Sequence, residues 1–255
     1  MSTTTAIESA LRPEIEAGQL AGAAALVWRD GAIQQIATVG RRDLRSGAPV
    51  ERDTIFRIAS LTKPVTSVAA LALLDDGRFE LDEPITEYAP VLARMRVLRD
   101  PNGPLDQTDE ATRPITFRDL LTHPSGLTYG DFHRGPIRHA HVETLGPEID
   151  SPLTPDEWIA RVATLPLIDQ PGAGFHYGHS SDLLGFLIAR IEGASLGAVM
   201  ARRVFGPLGM RDSFFTVPRE KRHRCAELCG FELKAAWLRS RKRRVVRRWS
   251  TVRTT

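Results

Sequence analysis

Ser60 and Lys63 stand three positions apart at the start of a helix-spaced apolar run, so a helix there sets both side chains on one face, within reach of each other. A serine hydroxyl is a weak nucleophile until a neighbour takes its proton, and a lysine beside it can accept that proton or position the group that does. Composition singles this lysine out. Residues 221–255 hold 12 of the 34 Lys and Arg, which leaves 34 − 12 = 22 in residues 1–220, of which 21 are Arg and only Lys63 is Lys. Lysine can lose its proton at accessible pH where arginine cannot, so the exception falls where titration is useful. Taken alone, Ser-x-x-Lys also fits a helix cap followed by a solvated lysine.

The second group that could move a proton is Tyr177, in Phe175-His176-Tyr177-Gly178-His179-Ser180 after the glycine-rich Pro171-Gly172-Ala173-Gly174. A phenol presented on such a turn, with cations nearby, can serve as proton acceptor for Ser60. A tyrosine packed against the following helix is the other reading. Seven histidines raise the question of a Ser-His-Asp triad, but the one Gly-x-Ser-x-Gly string, Gly193-Ala194-Ser195-Leu196-Gly197, follows a helix-spaced run and not the strand that a nucleophile elbow needs. His123 is expected to pack or to stabilise a turn. His133, His139 and His141 lack the acids and thiols of a zinc site and are expected to be solvated. Cys225 and Cys229 are the only cysteines, so residues 1–224 have no thiol chemistry.

These groups must be carried by definite elements. Ile7, Leu11 and Ile15 predict a helix over residues 5–18. The β-compatible runs 21–28 and 32–39, joined through Asp30-Gly31, predict a hairpin. Residues 54–58 read as a short strand, and Ser60 to Asp76 as a helix closed by Gly77. Residues 78–113, broken by Pro84, Pro90, Pro101 and Pro104, read as a meandering surface layer. Thr116 with Asp119 predicts a capped helix over 117–122, and Thr154-Pro155-Asp156-Glu157 another over 158–165. Residues 128–153 read as a long loop, 180–192 as an amphipathic helix ending at Gly193, and 196–204 as one more.

Five blocks in order resemble the serine β-lactamase and penicillin-binding-protein-like hydrolases, in particular the class C β-lactamase and family VIII carboxylesterase branch. They are Phe56-Arg-Ile-Ala-Ser60-Leu-Thr-Lys63-Pro64, Leu81-Asp-Glu-Pro84, Ile115-Thr-Phe-Arg-Asp-Leu-Leu-Thr-His-Pro-Ser-Gly-Leu127, Tyr177-Gly178-His179 and Val204-Phe-Gly-Pro-Leu-Gly-Met210. The resemblance implies an α/β fold of the β-lactamase/transpeptidase type, an antiparallel sheet flanked by helices with a mostly helical region at roughly 78–200. It implies Ser60 as the acylated nucleophile, Lys63 as its proton-relay partner and Tyr177 as general base. The Ser60 backbone N–H would be half of an oxyanion hole. His179 stands where β-lactamases show Asn, at a substrate-binding position, which favours a carboxylesterase acting on small esters through an acyl-enzyme. A β-lactamase or D-alanyl-D-alanine carboxypeptidase-like activity is the alternative. No cofactor and no metal are implied.

The resemblance covers about residues 5–224. Family members continue with further strands, one of which carries Lys-Thr-Gly or His/Trp-x-Gly, and no such motif follows residue 180. The sequence is therefore read as a related domain over 1–224 with its C-terminal strands missing, followed by a basic tail over 225–255. A catalytically inactive truncated fragment is the further alternative. Residues 221–255 carry 12 basic and 2 acidic residues, a net of +10, and residues 1–220 carry 22 − 29 = −7, together the +3 of the chain. So abrupt a change suggests a shifted reading frame. The arginine-rich stretch 234–253 leaves nucleic-acid binding as a minor reading beside the expected small-molecule ester or amide substrate. No apolar run approaches the roughly 20 residues of a membrane span, and no secretory signal is visible. A cytoplasmic location is the default expectation, and an uncovered sheet edge would permit self-association.

Overall fold

The computed structural model describes residues 6–146, 151–231 and 245–247. The described chain forms two compact units: residues up to Ala59 together with those from Thr216, and Ser60–Phe215.

In the first unit, helix α1 (Ala6–Glu16) precedes the antiparallel strands β1 (Gly22–Arg29) and β2 (Ala32–Gly40). The pairing runs from Gly22 opposite Gly40 to Arg29 opposite Ala32, with a register shift between Val27 and Trp28. Asp30 and Gly31 both take positive φ, 52° and 76°, the two-residue turn that matches strand twist. Ala37 and Val39 are buried, whereas Leu26, Trp28 and Ile33 stay exposed. The strand expected at 54–58 is reduced to one bridge, Ile55 with Cys225, because only Arg224 and Ala226 flank that cysteine with matching hydrogen bonds. Strands β5 (Cys229–Phe231) and β6 (Val245–Arg247) pair antiparallel. Most of the basic stretch 234–253 lies outside the described residues.

The second unit is built around helices α2 (Thr62–Asp75) and α6 (Ser180–Glu192). Ala69, Ala70 and Leu73 of α2 and Leu183, Leu184, Leu187 and Ile188 of α6 are fully buried in one core with Phe117 and Leu120. Helix α3 (Phe117–Thr122) supplies the last two, and α5 (Pro155–Val162) adds Trp158, Ile159 and Val162. Both α3 and α5 open on the reciprocal caps expected from sequence, Thr116 with Asp119 and Thr154 with Glu157. At the far end of α6, the buried Glu192 carboxylate accepts hydrogen bonds from Arg78, Arg202 and Arg203.

Several further expectations are corrected. The predicted loop 128–153 contains helix α4 (Pro136–Leu145), which buries Ile137, His141 and Leu145 at steps of four. A histidine in the middle of that stripe hid its apolar period. His141 is thus 4% exposed, not solvated. Residues 78–113 are not merely a surface layer, since Ile85, Leu92, Met95 and Val97 enter the main core between proline-broken turns. They also form the short antiparallel pair β3 (Arg96–Leu98) and β4 (Thr108–Glu110). The helix predicted over 196–204 divides into α7 (Leu196–Met200) and a wider π turn over Ala201–Phe205. Finally, Ser60 precedes the α-helix proper, in a 3-10 turn over Ala59–Leu61.

Candidate active site

Ala59, just before Ser60, has φ 45°, a left-handed conformation that costs a residue with a Cβ about 1 to 2 kcal/mol. Strain of this kind persists only where surrounding structure imposes it, and here it sets the turn that presents Ser60 at an exposed position ahead of α2. Lys63, half-buried one turn further on, points its Nζ at two tyrosines. It lies 4.8 Å from the centre of the Tyr177 ring and 5.4 Å from that of Tyr129. It donates a hydrogen bond of 3.1 Å to the Tyr129 Oη.

Tyr177 is placed from both sides. Its ring stacks on that of His123, centroids 5.4 Å apart. His123 closes α3 with a left-handed φ of 70°, so the turn-stabilising role expected of it is what the backbone shows, and its ring also stacks on Tyr177. On the other side Gly178 lies against the backbone of Thr128, leaving no room for a Cβ. A hydrogen bond with the Ser60 hydroxyl holds the Tyr177 phenol below its ordinary value of 10.0. Burial opposes that shift, and the Lys63 ammonium reinforces it. Ser60, Lys63 and Tyr177, chosen from sequence, therefore converge.

His179 sits differently from its expected substrate-facing position. It is 4% exposed, with Tyr129 edge-on at 4.5 Å, Trp158 at 5.2 Å and the His141 ring parallel at 5.7 Å. Its Nδ1 is 3.1 Å from Asp182 Oδ2. Tyr129 and Asp182 were not singled out by the sequence reading. The signals available for them were a tyrosine two residues past the Ile115–Leu127 block and a carboxylate at i+3 from His179. Phe132 and Phe175, both strongly exposed, rim the site, with Phe132 6.1 Å from the Tyr177 ring. Among the described residues no group of three or more His, Cys, Asp or Glu is arranged to hold a metal ion. No single described helix is long and apolar enough to cross a membrane.

Over residues 7–254 the sequence matches the protein family described as Beta-lactamase. The chain belongs to the beta-lactamase family. The matched region runs past residue 224, into the basic segment. Protein Rv1367c of Mycobacterium tuberculosis is 44% identical over 221 residues, covering 87% of this chain and 54% of that protein. Lovastatin esterase of Penicillium rubens is 39% identical over 187 residues, covering 71% of this chain and 45% of the esterase. The chain thus spans about half the length of these beta-lactamase-family relatives. Among solved structures, EstCE1, described as a hydrolase with promiscuous acyltransferase activity, superposes with a TM-score of 0.78 at 24% identity, covering 94% of this chain and 58% of that one. The fold is β-lactamase/transpeptidase-like, with helices and small antiparallel sheets.

Proposed function

We propose that the protein is a serine hydrolase that cleaves small carboxylic esters through an acyl-enzyme on Ser60. The observation that carries this reading is the convergence of the Ser60 hydroxyl and the Lys63 ammonium on the Tyr177 phenol. As phenolate, Tyr177 takes the proton of Ser60 while Oγ attacks the ester carbonyl. The negative oxygen that forms is stabilised in part by the Ser60 backbone N–H. Collapse of this adduct breaks the C–O bond to the alcohol, which leaves with the proton held by Tyr177. Water then attacks the acyl carbonyl, giving its proton to Tyr177, and the acid departs as Ser60 recovers a proton. Lys63 stays an ammonium through this cycle and offsets the charge on the phenolate.

The exposed rings of Phe132 and Phe175 favour an apolar acyl or alkoxy group over a charged peptide terminus. The esterase named among the relatives supports the same substrate class. The test is hydrolysis of p-nitrophenyl butyrate by monodisperse protein beside Ser60→Ala, Lys63→Ala and Tyr177→Phe, with nitrocefin as a parallel substrate. Loss of ester cleavage in all three variants is expected. Cleavage of nitrocefin alone would move the reading to a β-lactamase. No turnover and no fluorophosphonate adduct on Ser60 in folded protein would mean an inactive chain.

A further inference from the structure

We infer that Asp182, acting through the Tyr129 phenol, fixes where the Lys63 ammonium stands, and that buried His179 anchors this relay instead of touching substrate. The inference deepens the Ser60, Lys63 and Tyr177 reading above and rests on it.

The direction of the relay follows from donor and acceptor inventory. An ammonium has only protons to give, and a carboxylate has only lone pairs. Lys63 Nζ is 3.1 Å from Tyr129 Oη, and that oxygen is 3.1 Å from Asp182 Oδ2. The phenol must therefore accept from Lys63 and donate its own proton to Asp182. A phenol so polarised is a stronger acceptor than a free one. Without it, the long lysine side chain has several rotamers, and only some bring the ammonium against Tyr177.

Asp182 is itself held. Its Oδ2 lies 3.1 Å from His179 Nδ1, which therefore carries a proton to donate. The His179 ring cannot swing away, because His141, Trp158 and Tyr129 enclose it. Asp182 also occupies the first turn of α6, where the helix favours a negative charge. The backbone approach of Gly178 to Thr128 joins the two segments on which these groups ride. Asp182 keeps 43% of its side chain exposed, so water screens part of its effect. Both Asp182 and Tyr129 are positioning residues.

The experiment uses full-length protein and two readouts. The first is the second-order rate of Ser60 modification by an alkyl fluorophosphonate, in which Oγ displaces fluoride from phosphorus and loses its proton. Tyr129→Phe and Asp182→Asn are each expected to slow it about 10-fold or more, since small misplacements of a reacting group are costly. The double variant is expected to be no slower than the worse single one, because Asp182 reaches Lys63 through Tyr129 and its own charge disfavours the Tyr177 phenolate.

The second readout is phenol ionisation followed at 295 nm, with Tyr177→Phe identifying the Tyr177 step. Tyr88 and Tyr129 are the only other tyrosines, and burial beside Glu83 raises Tyr88. The titratable, charged and hydroxyl groups that face the Tyr177 phenol and ring are Ser60, Lys63, Asp182, His123 and Tyr129. Tyr129→Phe is expected to move the Tyr177 step to higher pH, as Lys63 is released. Asp182→Glu restores part of the labelling rate.

An unchanged Tyr177 step, or a wild-type labelling rate in Tyr129→Phe, overturns the proposal. Wild-type protein that does not label at all overturns the hydrolase reading instead, and the ionisation readout then decides the relay by itself.

Discussion

Gly178 and Thr128 meet backbone to backbone: a Cβ at position 178 would stand 2.4 Å from the Thr128 Cα and 2.8 Å from the Tyr129 nitrogen. No flexible side chain is there to yield, so one strand of backbone would have to move. The approach matters because the residue before Gly178 is Tyr177 and the residue after Thr128 is Tyr129, the two phenols that share Lys63. Gly178→Ala is expected to cost about 1 to 3 kcal/mol of stability, the usual range for overpacking. Fluorophosphonate labelling of Ser60 should slow more than the shift in thermal midpoint explains. A fully stable variant labelled at the wild-type rate would show that the two segments need no such contact.

The pH dependence of ester cleavage should carry the imprint of Lys63. In the proposed mechanism Tyr177 works as a phenolate, so kcat/KM is expected to rise with pH through its ionisation. That ionisation lies below 10.0 because Ser60 and Lys63 favour the charged form. Removing a favouring cation raises a phenol, so Lys63→Met is expected to move the midpoint of this limb to higher pH. Asp182 acts in the opposite sense on Tyr177. The pH profile of residual cleavage in Lys63→Met, or the phenol step at 295 nm, reports the shift, and a limb that stays in place would remove Lys63 from the role assigned to it.

Much of this candidate site is legible in the sequence. Ser60, Lys63 and Tyr177 were singled out by a lone lysine among arginines, by a tyrosine on a glycine-flanked turn and by the family-like blocks that contain them. Caps were equally plain, since Thr116 with Asp119 and Thr154 with Glu157 act over three residues. Tyr129 and Asp182 were not found, because their meaning lies in contacts across 66 and 53 positions of sequence. His179 was placed in the right neighbourhood but on the wrong side of it: a position that faces substrate and a position that braces a carboxylate look alike in a string of letters. Helix α4 escaped for a different reason. Its buried stripe uses a histidine where periodicity counting expects an aliphatic side chain.

That same histidine makes stability depend on acid. His141 is buried in α4 with no partner for its Nδ1, and burial, with His179 and His133 nearby, pushes its pKa down to about 4 from 6.5. The folded protein therefore binds the proton less readily than the unfolded chain. The neutral ring's contribution is fully present above pH 6.5 and is lost as pH falls from there toward 4. At most roughly 3 kcal/mol is involved, from a shift of about two and a half pH units. Urea denaturation at pH 7, 5.5 and 4.5 should show stability falling over this window, and His141→Phe should flatten the fall. An equal slope in that variant would place the acid sensitivity elsewhere.

The cap of α3 gives a second, separable acid response. Asp119 is 3% exposed at its side chain and takes both oxygens to Arg113, at 2.6 and 2.9 Å, while its Oδ2 also accepts from the Thr116 backbone N–H at 2.9 Å. Burial by itself would raise this carboxyl, but the guanidinium and the N–H outweigh it and hold the carboxyl below 3.8. The two partners are not equivalent, since Arg113 is 41% exposed and water can solvate it if Asp119 is lost. Removing Arg113 instead strands a buried carboxylate. Arg113→Met is therefore expected to cost more than Asp119→Asn, on the order of 3 against 2 kcal/mol, with Thr116→Ala near 1. A depressed carboxyl contributes stability that is present above its unfolded value and lost as pH falls through its folded one. In Arg113→Met the folded value rises toward or above the unfolded one, so the share of the acid-induced loss that Asp119 carries in wild type should shrink or reverse. Denaturation curves at pH 7 and across pH 5 to 3 test both statements. If Asp119→Asn proved the more damaging change, the cap and not the ion pair would be what holds the start of α3, and with it the His123 ring that backs Tyr177.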